Sequence, residues 1–202
     1  MAHTFATSPS TSSRLLGVAG LLGGAVLLAA FVIDIAPGLN DLRLVLFNVG
    51  AMAVVIGVHR RQASAAPGLA LLGAVPAFLA NAWYVAMVLL AIGRPNPFGG
   101  DFGVVYFAAG VALWLTDAWF GFVTLRLGSV TRWGAFALAI GSILALTGID
   151  RLELTSPGNP TIFGPLSLVG IALNGIGWIL LGLDVATHGR ATTQPRQAPE
   201  AI

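Results

Sequence analysis

The sequence predicts an all-α membrane protein with six transmembrane helices, built as three tandem helical hairpins in a pseudo-threefold arrangement. The first observation is composition: 56% of the 202 residues are hydrophobic and only 9% are charged, whereas a soluble domain carries about 25% charged residues. The second is a succession of long apolar segments separated by turn-forming residues. The third is an offset of sixty residues that superposes three hairpins without gaps. Together these observations favour the lipid bilayer as the solvent of this chain.

Each predicted span is long enough to cross the hydrocarbon core, because about 20 apolar residues at a rise of 1.5 Å cover roughly 30 Å. The connectors between the spans are rich in proline, glycine and asparagine, which favour turns. The first apolar run has about 20 residues, too many for the hydrophobic region of a secretory signal peptide, so we expect it to be retained. The six spans cover approximately 15–36, 42–58, 68–92, 102–125, 133–149 and 163–186.

Arginine placement predicts the orientation, because an excess of basic residues marks the cytoplasmic side of a membrane protein. All ten basic residues are arginines, and seven of them fall on one side of the predicted spans. The three others lie on the opposite side, near aspartate and glutamate residues. Both termini are therefore predicted to be cytoplasmic, with disordered tails at 1–13 and 191–202 flanking a membrane domain at 14–190. Arginine without lysine, together with abundant alanine, glycine, valine and leucine, favours a bacterial plasma membrane.

The sixty-residue offset predicts that one two-helix hairpin occurs three times. The three hairpins cover about 14–62, 68–128 and 132–190. The aligned positions are Pro37, Pro97 and Pro157 in the outer connectors, and Gly50, Gly110 and Gly170 in the even-numbered spans. Tandem hairpins that are inserted in the same direction favour packing about an axis along the membrane normal. The repeat is the basis of the predicted pseudo-threefold arrangement.

Glycines recur on one face of each even-numbered span, at the steps of three and four residues that a helical face requires. In a membrane no hydrophobic force drives helices together, so small residues stabilise contacts by letting the backbones approach closely. We therefore predict a helix-packing role for six glycines. They are Gly50, Gly57, Gly110, Gly121, Gly170 and Gly177.

Asp117 is the most informative single residue, because it lies within the fourth span and no basic residue is one turn away. A carboxylate in the bilayer is costly, so it is expected to face the protein interior, to bind a proton or to find a partner. Asn81, Asn174 and Trp114 are its predicted companions in a candidate intramembrane polar site. Two kinds of role stay open for Asp117. The first is functional: proton coupling, cation coupling or contact with a ligand. The second is structural: a hydrogen bond between helices.

The sequence predicts no catalytic residue, no cofactor and no metal site. The chain has no cysteine and no lysine, which excludes thiolate metal sites, disulfides and Schiff-base cofactors. Its histidines lack a nearby pair of carboxylates, and no Walker loop or HExxH motif occurs. The arginines form no stripe with interleaved aromatic residues, so no nucleic-acid partner is expected.

These observations leave the function open between different classes. The leading prediction is permeation or transport of a small solute or ion, with Asp117 as the intramembrane polar group. The alternative is a non-catalytic scaffold or accessory subunit, for which a membrane-protein partner or a homo-oligomer would be expected within the lipid bilayer. An intramembrane enzyme acting on lipids is the weakest of the three, because no catalytic grouping falls at one depth, and the chain is not expected to be an enzyme.

Overall fold

The computed structural model describes residues 10–32, 39–97, 99–147 and 165–188, with the side chains of all of these except 30–32 and 39–41. Within this part the chain is all helical and contains no strand. The helices are α1 (Thr11–Val32), α2 (Leu39–Gln62), α3 (Pro67–Ala91), α4 (Gly100–Leu127), α5 (Arg132–Leu146) and α6 (Pro165–Thr187). Each helix overlaps one predicted span, so the all-helical prediction is confirmed.

Five of the helices, all except α5, are long and apolar enough to cross a membrane. They make the chain a multi-pass membrane protein. Helix α5 has 15 residues, which at 1.5 Å per residue is about 22 Å, short of the roughly 30 Å of the hydrocarbon core. The span predicted there continued to residue 149, and residues 148–164 lie outside the described part. The sixth crossing therefore stays a prediction.

The helix ends follow local sequence signals. The hydroxyl of Ser10 accepts the backbone N–H of Ser13 at 3.3 Å, which is the side-chain cap that serine provides at a helix start. Helix α3 begins with Pro67, whose fixed φ suits the first helical turn. Helix α4 ends at Gly128, which adopts a left-handed φ of 63° and donates its N–H to the carbonyl of Thr124.

The helices form a closed ring in which each one packs against its neighbours in the chain and α6 also packs against α1. Helix α2 contacts α6 as well. Glycines allow the close approach at the seams. A Cβ added to Gly50 would lie 2.6 Å from the carbonyl oxygen of Ala19, and one added to Gly177 would lie 2.6 Å from the backbone nitrogen of Leu138. Both distances are shorter than van der Waals contact, so a side chain at either position would push two helices apart.

Large side chains fill the interior of the ring. Phe120 of α4 and Trp178 of α6 are both fully buried, and their rings stack with centroids 5.8 Å apart and planes 17° apart. Val54 and Val58 of α2 belong to the same buried cluster. The outer faces are also apolar, and Trp133 for example is 75% exposed. A helix that is hydrophobic on all sides suits a membrane span, and here lipid would cover the outer face.

The predicted domain boundaries are only partly within the described residues. Helix α1 begins at Thr11 after the cap of Ser10, so it includes the last three residues of the tail predicted at 1–13. The tail at 191–202 and the connectors around Pro37 and Pro157 lie outside the described part. A closed ring is compatible with three tandem hairpins but does not confirm that arrangement. The repeat, the pseudo-threefold axis and the cytoplasmic termini stay predictions.

Candidate functional site

The predicted polar residues meet inside the ring, on the faces of three helices. Asp117 of α4 is fully buried and faces α3 and α6. Burial places this carboxyl group away from lipid and from water in the described structure. The other fully buried polar residues of these helices and α5 include Asn81 on α3, Asn174 on α6 and Ser142 on α5.

Asn81 connects α3 directly to Asp117. Its Nδ2 donates to Oδ1 of Asp117 at 3.1 Å and to the backbone carbonyl of Ala77, one turn earlier in α3, at 2.8 Å. Both hydrogens of the amide nitrogen are therefore used. The bond to Ala77 also determines the orientation of the amide, because the carbonyl of Ala77 can only accept and must therefore face the amide nitrogen. The amide oxygen of Asn81 is left without a donor.

Asn174 connects α6 to α5 through Ser142. Its Nδ2 donates to the hydroxyl of Ser142 at 2.9 Å, and that hydroxyl donates in turn to the backbone carbonyl of Leu138 at 2.7 Å. Because the hydroxyl hydrogen is committed to Leu138, Ser142 is the acceptor of the bond from Asn174. The orientation of the Asn174 amide follows, and its oxygen is left without a donor in the described structure.

Asn174 and Trp178 also lie against the carboxyl group of Asp117. Their contacts are looser than those of Asn81, since Oδ2 of Asp117 and Nε1 of Trp178 have no partner at hydrogen-bond geometry among the described residues. We therefore give the bond from Asn81 the greater weight. We call Asp117, Asn81, Asn174 and Trp178 the Asp117 cluster.

Four buried polar atoms of the Asp117 cluster lack a hydrogen-bond partner in the described structure: Oδ2 of Asp117, Oδ1 of Asn81, Oδ1 of Asn174 and Nε1 of Trp178. Buried polar atoms are nearly always paired, and each exception needs an explanation such as a functional role or an additional bound species. Four such exceptions around one carboxyl group make the Asp117 cluster the polar site that most needs an explanation.

The structure shows no ion pair between Asp117 and a basic side chain of the described residues. The close contacts of Asp184 with Arg61 and with the imidazole of His188 lie elsewhere, near the C-terminal ends of α2 and α6. An isolated buried carboxylate is strongly disfavoured in a low-dielectric interior. The carboxyl group of Asp117 is therefore not held in an ion pair by the described residues.

The other predicted residues have different surroundings. Trp114 is half-buried and packs against the main apolar cluster. Asn48 on α2 donates to the carbonyl of Leu44 in its own helix at 2.6 Å. Among the predicted packing glycines, Gly110 differs from the rest: a Cβ there would meet only the ring of Tyr84, at 3.7 Å. At the others an added Cβ would clash with the backbone or a side chain of a neighbouring helix; they are Gly50, Gly57, Gly121, Gly170 and Gly177.

Two members of the site, Trp178 and Ser142, were not predicted from the sequence. Trp178 lies one turn after Asn174 on α6, so the two residues share a helical face. The sequence does not show which residue of another helix lies opposite that face. Ser142 lies on α5, and its role depends on the packing of α5 against α6. The available signal was a serine inside an apolar span, since a buried hydroxyl in a membrane helix needs an acceptor.

A second polar region ties the helix ends on the side predicted to be cytoplasmic. Arg61, near the end of α2, lies 3.5 Å from the carboxylate of Asp184. Its Nη2 also donates to the carbonyls of Asp184 and Val185, at 2.7 and 3.2 Å, and to that of His188. These carbonyls lie at the C-terminal end of α6, where a helix has no partners of its own for them and where a positive charge is favourable. Arg61 therefore caps α6.

The same region connects α2 to α4 and to the start of α5. Nε2 of Gln62 donates to the hydroxyl of Thr124 at 3.1 Å, and both side chains are buried. The backbone N–H of Thr131 donates to Oδ2 of Asp184 at 2.9 Å. We call Arg61, Gln62, Thr124 and Asp184 the α2 clasp, because the end of α2 holds α4 and α6 together through these residues.

The described residues contain no group of three or more His, Cys, Asp or Glu side chains that could hold a metal ion. In comparisons with protein-family models, curated proteins and solved structures, the chain matches none. The geometry of the Asp117 cluster is therefore the basis for the function proposed below.

Proposed function

We propose that this protein provides a pathway through the membrane for a small solute or ion, with the Asp117 cluster as the polar binding point inside the helix ring. The observation that carries the proposal is the fully buried carboxyl group of Asp117, which has one firm hydrogen bond, from Asn81, and no basic partner among the described residues. Ionisable residues inside membrane segments typically mark the path of an ion, a proton or a substrate.

The structure suits a closed state of such a pathway. On the side of the α2 clasp, the stacked rings of Phe120 and Trp178 lie next to Asp117 and Asn174 along α4 and α6. The clasp itself follows, with the Gln62–Thr124 bond and the Arg61–Asp184 pair. Passage from Asp117 to this side would require both layers to separate. Alternating access by movement of packed helices around a fixed central site is how many transporters work.

Flux through purified protein in lipid vesicles tests the proposal. Proton flux is followed with a trapped pH dye, and sodium and potassium flux with ion-selective dyes, under an imposed membrane potential. We expect Asp117→Asn to abolish the flux that the natural chain supports. Asp101→Asn is the matched control, because Asp101 lies on the same helix, carries the same charge and is exposed. Unchanged flux in a folded Asp117→Asn protein would remove the role proposed for this carboxyl group.

Cysteine labelling tests whether water reaches the cluster, and the absence of native cysteine makes each introduced thiol the only one. Single cysteines at 110, 114, 115, 117, 119 and 120 are treated with a membrane-impermeant thiol reagent in intact and inverted vesicles. Labelling at 110, 114, 117 and 120 is expected if the face of Asp117 lines a water-filled cavity, without labelling at 115 and 119, where Leu115 and Trp119 are exposed on the outer face. Silence at all six positions would contradict a pathway along this face.

The second candidate is a scaffold or accessory subunit of a membrane complex. The observation that favours it is the complete burial of Asp117 together with the tight glycine seams of the ring, which a purely structural helix bundle would also show. A scaffold predicts that substitution of Asp117 lowers stability without any flux to lose, and that a second membrane protein remains bound after mild extraction. A stable, partner-free protein with Asp117-dependent flux would exclude it.

A further inference from the structure

The unpaired atoms of the Asp117 cluster can be counted by type. Three are acceptors: Oδ2 of Asp117, Oδ1 of Asn81 and Oδ1 of Asn174. One is a donor, Nε1 of Trp178, because an indole nitrogen can only donate. The second hydrogen of the Asn174 amide nitrogen, which the bond to Ser142 leaves unused, is a further donor. When the indole and this N–H each pair with an oxygen, one buried acceptor still has no donor. The cluster is therefore one donor short, and no described side chain compensates its negative charge.

The count does not depend on the choice of amide orientation. Exchanging the nitrogen and oxygen of Asn81 would place its oxygen against the carbonyl of Ala77, which cannot donate. The same exchange in Asn174 would leave its oxygen facing the hydroxyl of Ser142, whose hydrogen already bonds to Leu138. Both amide oxygens therefore remain acceptors.

We propose that Asp117 binds one proton on Oδ2, and that this proton is donated to the amide oxygen of Asn81 or Asn174. The proton comes from water and leaves to water, so no other reactant is needed. Its binding turns Oδ2 from an acceptor into a donor, so that the four previously unpaired atoms are two donors and two acceptors. The acid O–H pairs with one amide oxygen, and the indole N–H of Trp178 pairs with the other. The negative charge disappears in the same step.

Other occupants account for the cluster less well. A water molecule that accepts from Trp178 and donates to two oxygens would leave the third oxygen to the second N–H of Asn174, but the negative charge would stay uncompensated. A sodium ion would bind the oxygens and compensate the charge, but the indole N–H of Trp178 would then point towards a cation. One proton is the smallest addition that pairs all four atoms and neutralises the site.

No charged group on the surrounding helices replaces the proton, since the charge of Asp117 interacts with no basic or acidic side chain of the described residues. Tyr84 is the titratable residue closest along α3, three positions after Asn81, and its ring packs against Tyr106 with centroids 5.6 Å apart. Among the side chains that the structure describes, the other charged and titratable residues of the helices around the cluster are Arg43, His59, Arg60 and Arg61 on α2, Tyr84 on α3, Asp101, Tyr106 and Arg126 on α4, Arg132 on α5 and Asp184 on α6.

The role of this proton as the coupled ion of a transport cycle rests on the proposed function, whereas its presence in the cluster does not. The two can be tested separately. A transport cycle would require the proton to leave when the α2 clasp and the Phe120–Trp178 stack open. Deprotonation would return the cluster to its unpaired state and so favour the conformation in which water enters.

Infrared spectroscopy of the full chain in lipid vesicles tests the proton directly. A protonated carboxylic acid gives a C=O band that shifts in heavy water and is separate from the amide bands. We expect this band at neutral pH, its loss in Asp117→Asn and its retention in Asp101→Asn. We also expect either Asn81→Ala or Asn174→Ala to shift the band, because the acid O–H loses its acceptor. That pair keeps the test decisive even if Asp117→Asn does not fold.

Three results would overturn the inference: no acid band at neutral pH, a band that Asp117→Asn leaves intact, or a band that disappears when sodium chloride replaces choline chloride at constant pH. The last result would assign the site to sodium. An acid band without proton flux in vesicles would support the bound proton and contradict its role as the coupled ion of a transport cycle. Flux that depends on Asp117 without any acid band would support the proposed pathway and contradict the bound proton.

Discussion

Replacing Gly50 with alanine tests the close packing of the ring without touching the Asp117 cluster. Gly50 lies on α2 against α1, and an added Cβ would come within 2.6 Å of the carbonyl oxygen of Ala19 and 2.9 Å of the Cα of Gly23. Ordinary contact begins at 3.4 Å, so the methyl group must retreat by about 0.8 Å. Its neighbours are backbone atoms, which cannot rotate away. The whole of α1 must therefore move relative to α2.

The cost follows from the contacts that this movement weakens. A gap of 0.5–1 Å forfeits roughly a quarter to a half of the dispersion energy of each contact across it, and overpacking of a well-packed site typically costs about 1–3 kcal/mol. Alanine also gains up to about 1 kcal/mol of helix propensity over glycine. The net effect of Gly50→Ala on the free energy of unfolding is therefore a loss of about 0–3 kcal/mol, and a control is needed to isolate the packing term.

Gly110→Ala is that control, because Gly110 occupies the position sixty residues later on α4 and has room for a methyl group, with Tyr84 at 3.7 Å. The propensity gain is common to both variants and cancels in their difference. We expect Gly50→Ala to be about 1–3 kcal/mol less stable than Gly110→Ala. The assay is reversible unfolding in mixed micelles with increasing dodecyl sulfate, followed by tryptophan fluorescence. Equal unfolding free energies for the two variants would refute the close α1–α2 seam.

Three further predictions concern the α2 clasp, a helix end and the ring interior. In the same assay, we expect Arg61→Gln to lower the free energy of unfolding by about 1–3 kcal/mol, because charged hydrogen bonds to α6 are lost. The exposed Arg60→Gln should change this free energy by no more than about 0.5 kcal/mol. Equal values for the two variants would contradict the capping of α6 by Arg61. Gly128→Ala should cost about 1–2 kcal/mol, since φ is 63° there, and a neutral result would contradict the left-handed helix end. Trp178→Ala should lower the free energy of unfolding by about 3–5 kcal/mol because of the cavity it leaves, as measured by circular dichroism. Trp178→Phe should lower it clearly less, because a ring remains to stack on Phe120. Equal losses for the two variants would contradict the stack.

The candidate site was partly predictable because membrane chemistry makes polar residues conspicuous. Asp117, Asn81 and Asn174 stand out as polar side chains within apolar spans, and each was expected to face the protein interior. The structure brings these three together. Trp114 shared the face of Asp117 on α4, yet the residue beside the carboxyl group is Trp178 of α6. Spacing along one helix shows which residues share a face but not which residue of another helix lies opposite.

The sequence also could not predict the orientation of the Asn81 and Asn174 amides, or the surplus of hydrogen-bond acceptors that results from it. The amide nitrogen of Asn174 also donates to Ser142 on α5, and only this contact determines that the amide oxygen is the end left without a donor. Likewise, Gly110 and Gly50 have the same place in the sixty-residue offset, but one has open space and the other does not. Identical local sequence signals therefore led to different packing at equivalent positions.

The sequence by itself determined that this is a helical membrane protein and where its helices lie, because an apolar segment of about 20 residues can satisfy its backbone in lipid only as a helix. It also determined that Asp117 needs a partner, because a bare carboxylate is not tolerated in that medium. Only the tertiary structure decided who the partners are. Contacts between helices depend on the ring order and on the rotation of each helix, and those are set by glycine seams and large side chains distant in the chain. The Asp117 cluster and the α2 clasp exist only once the ring has closed.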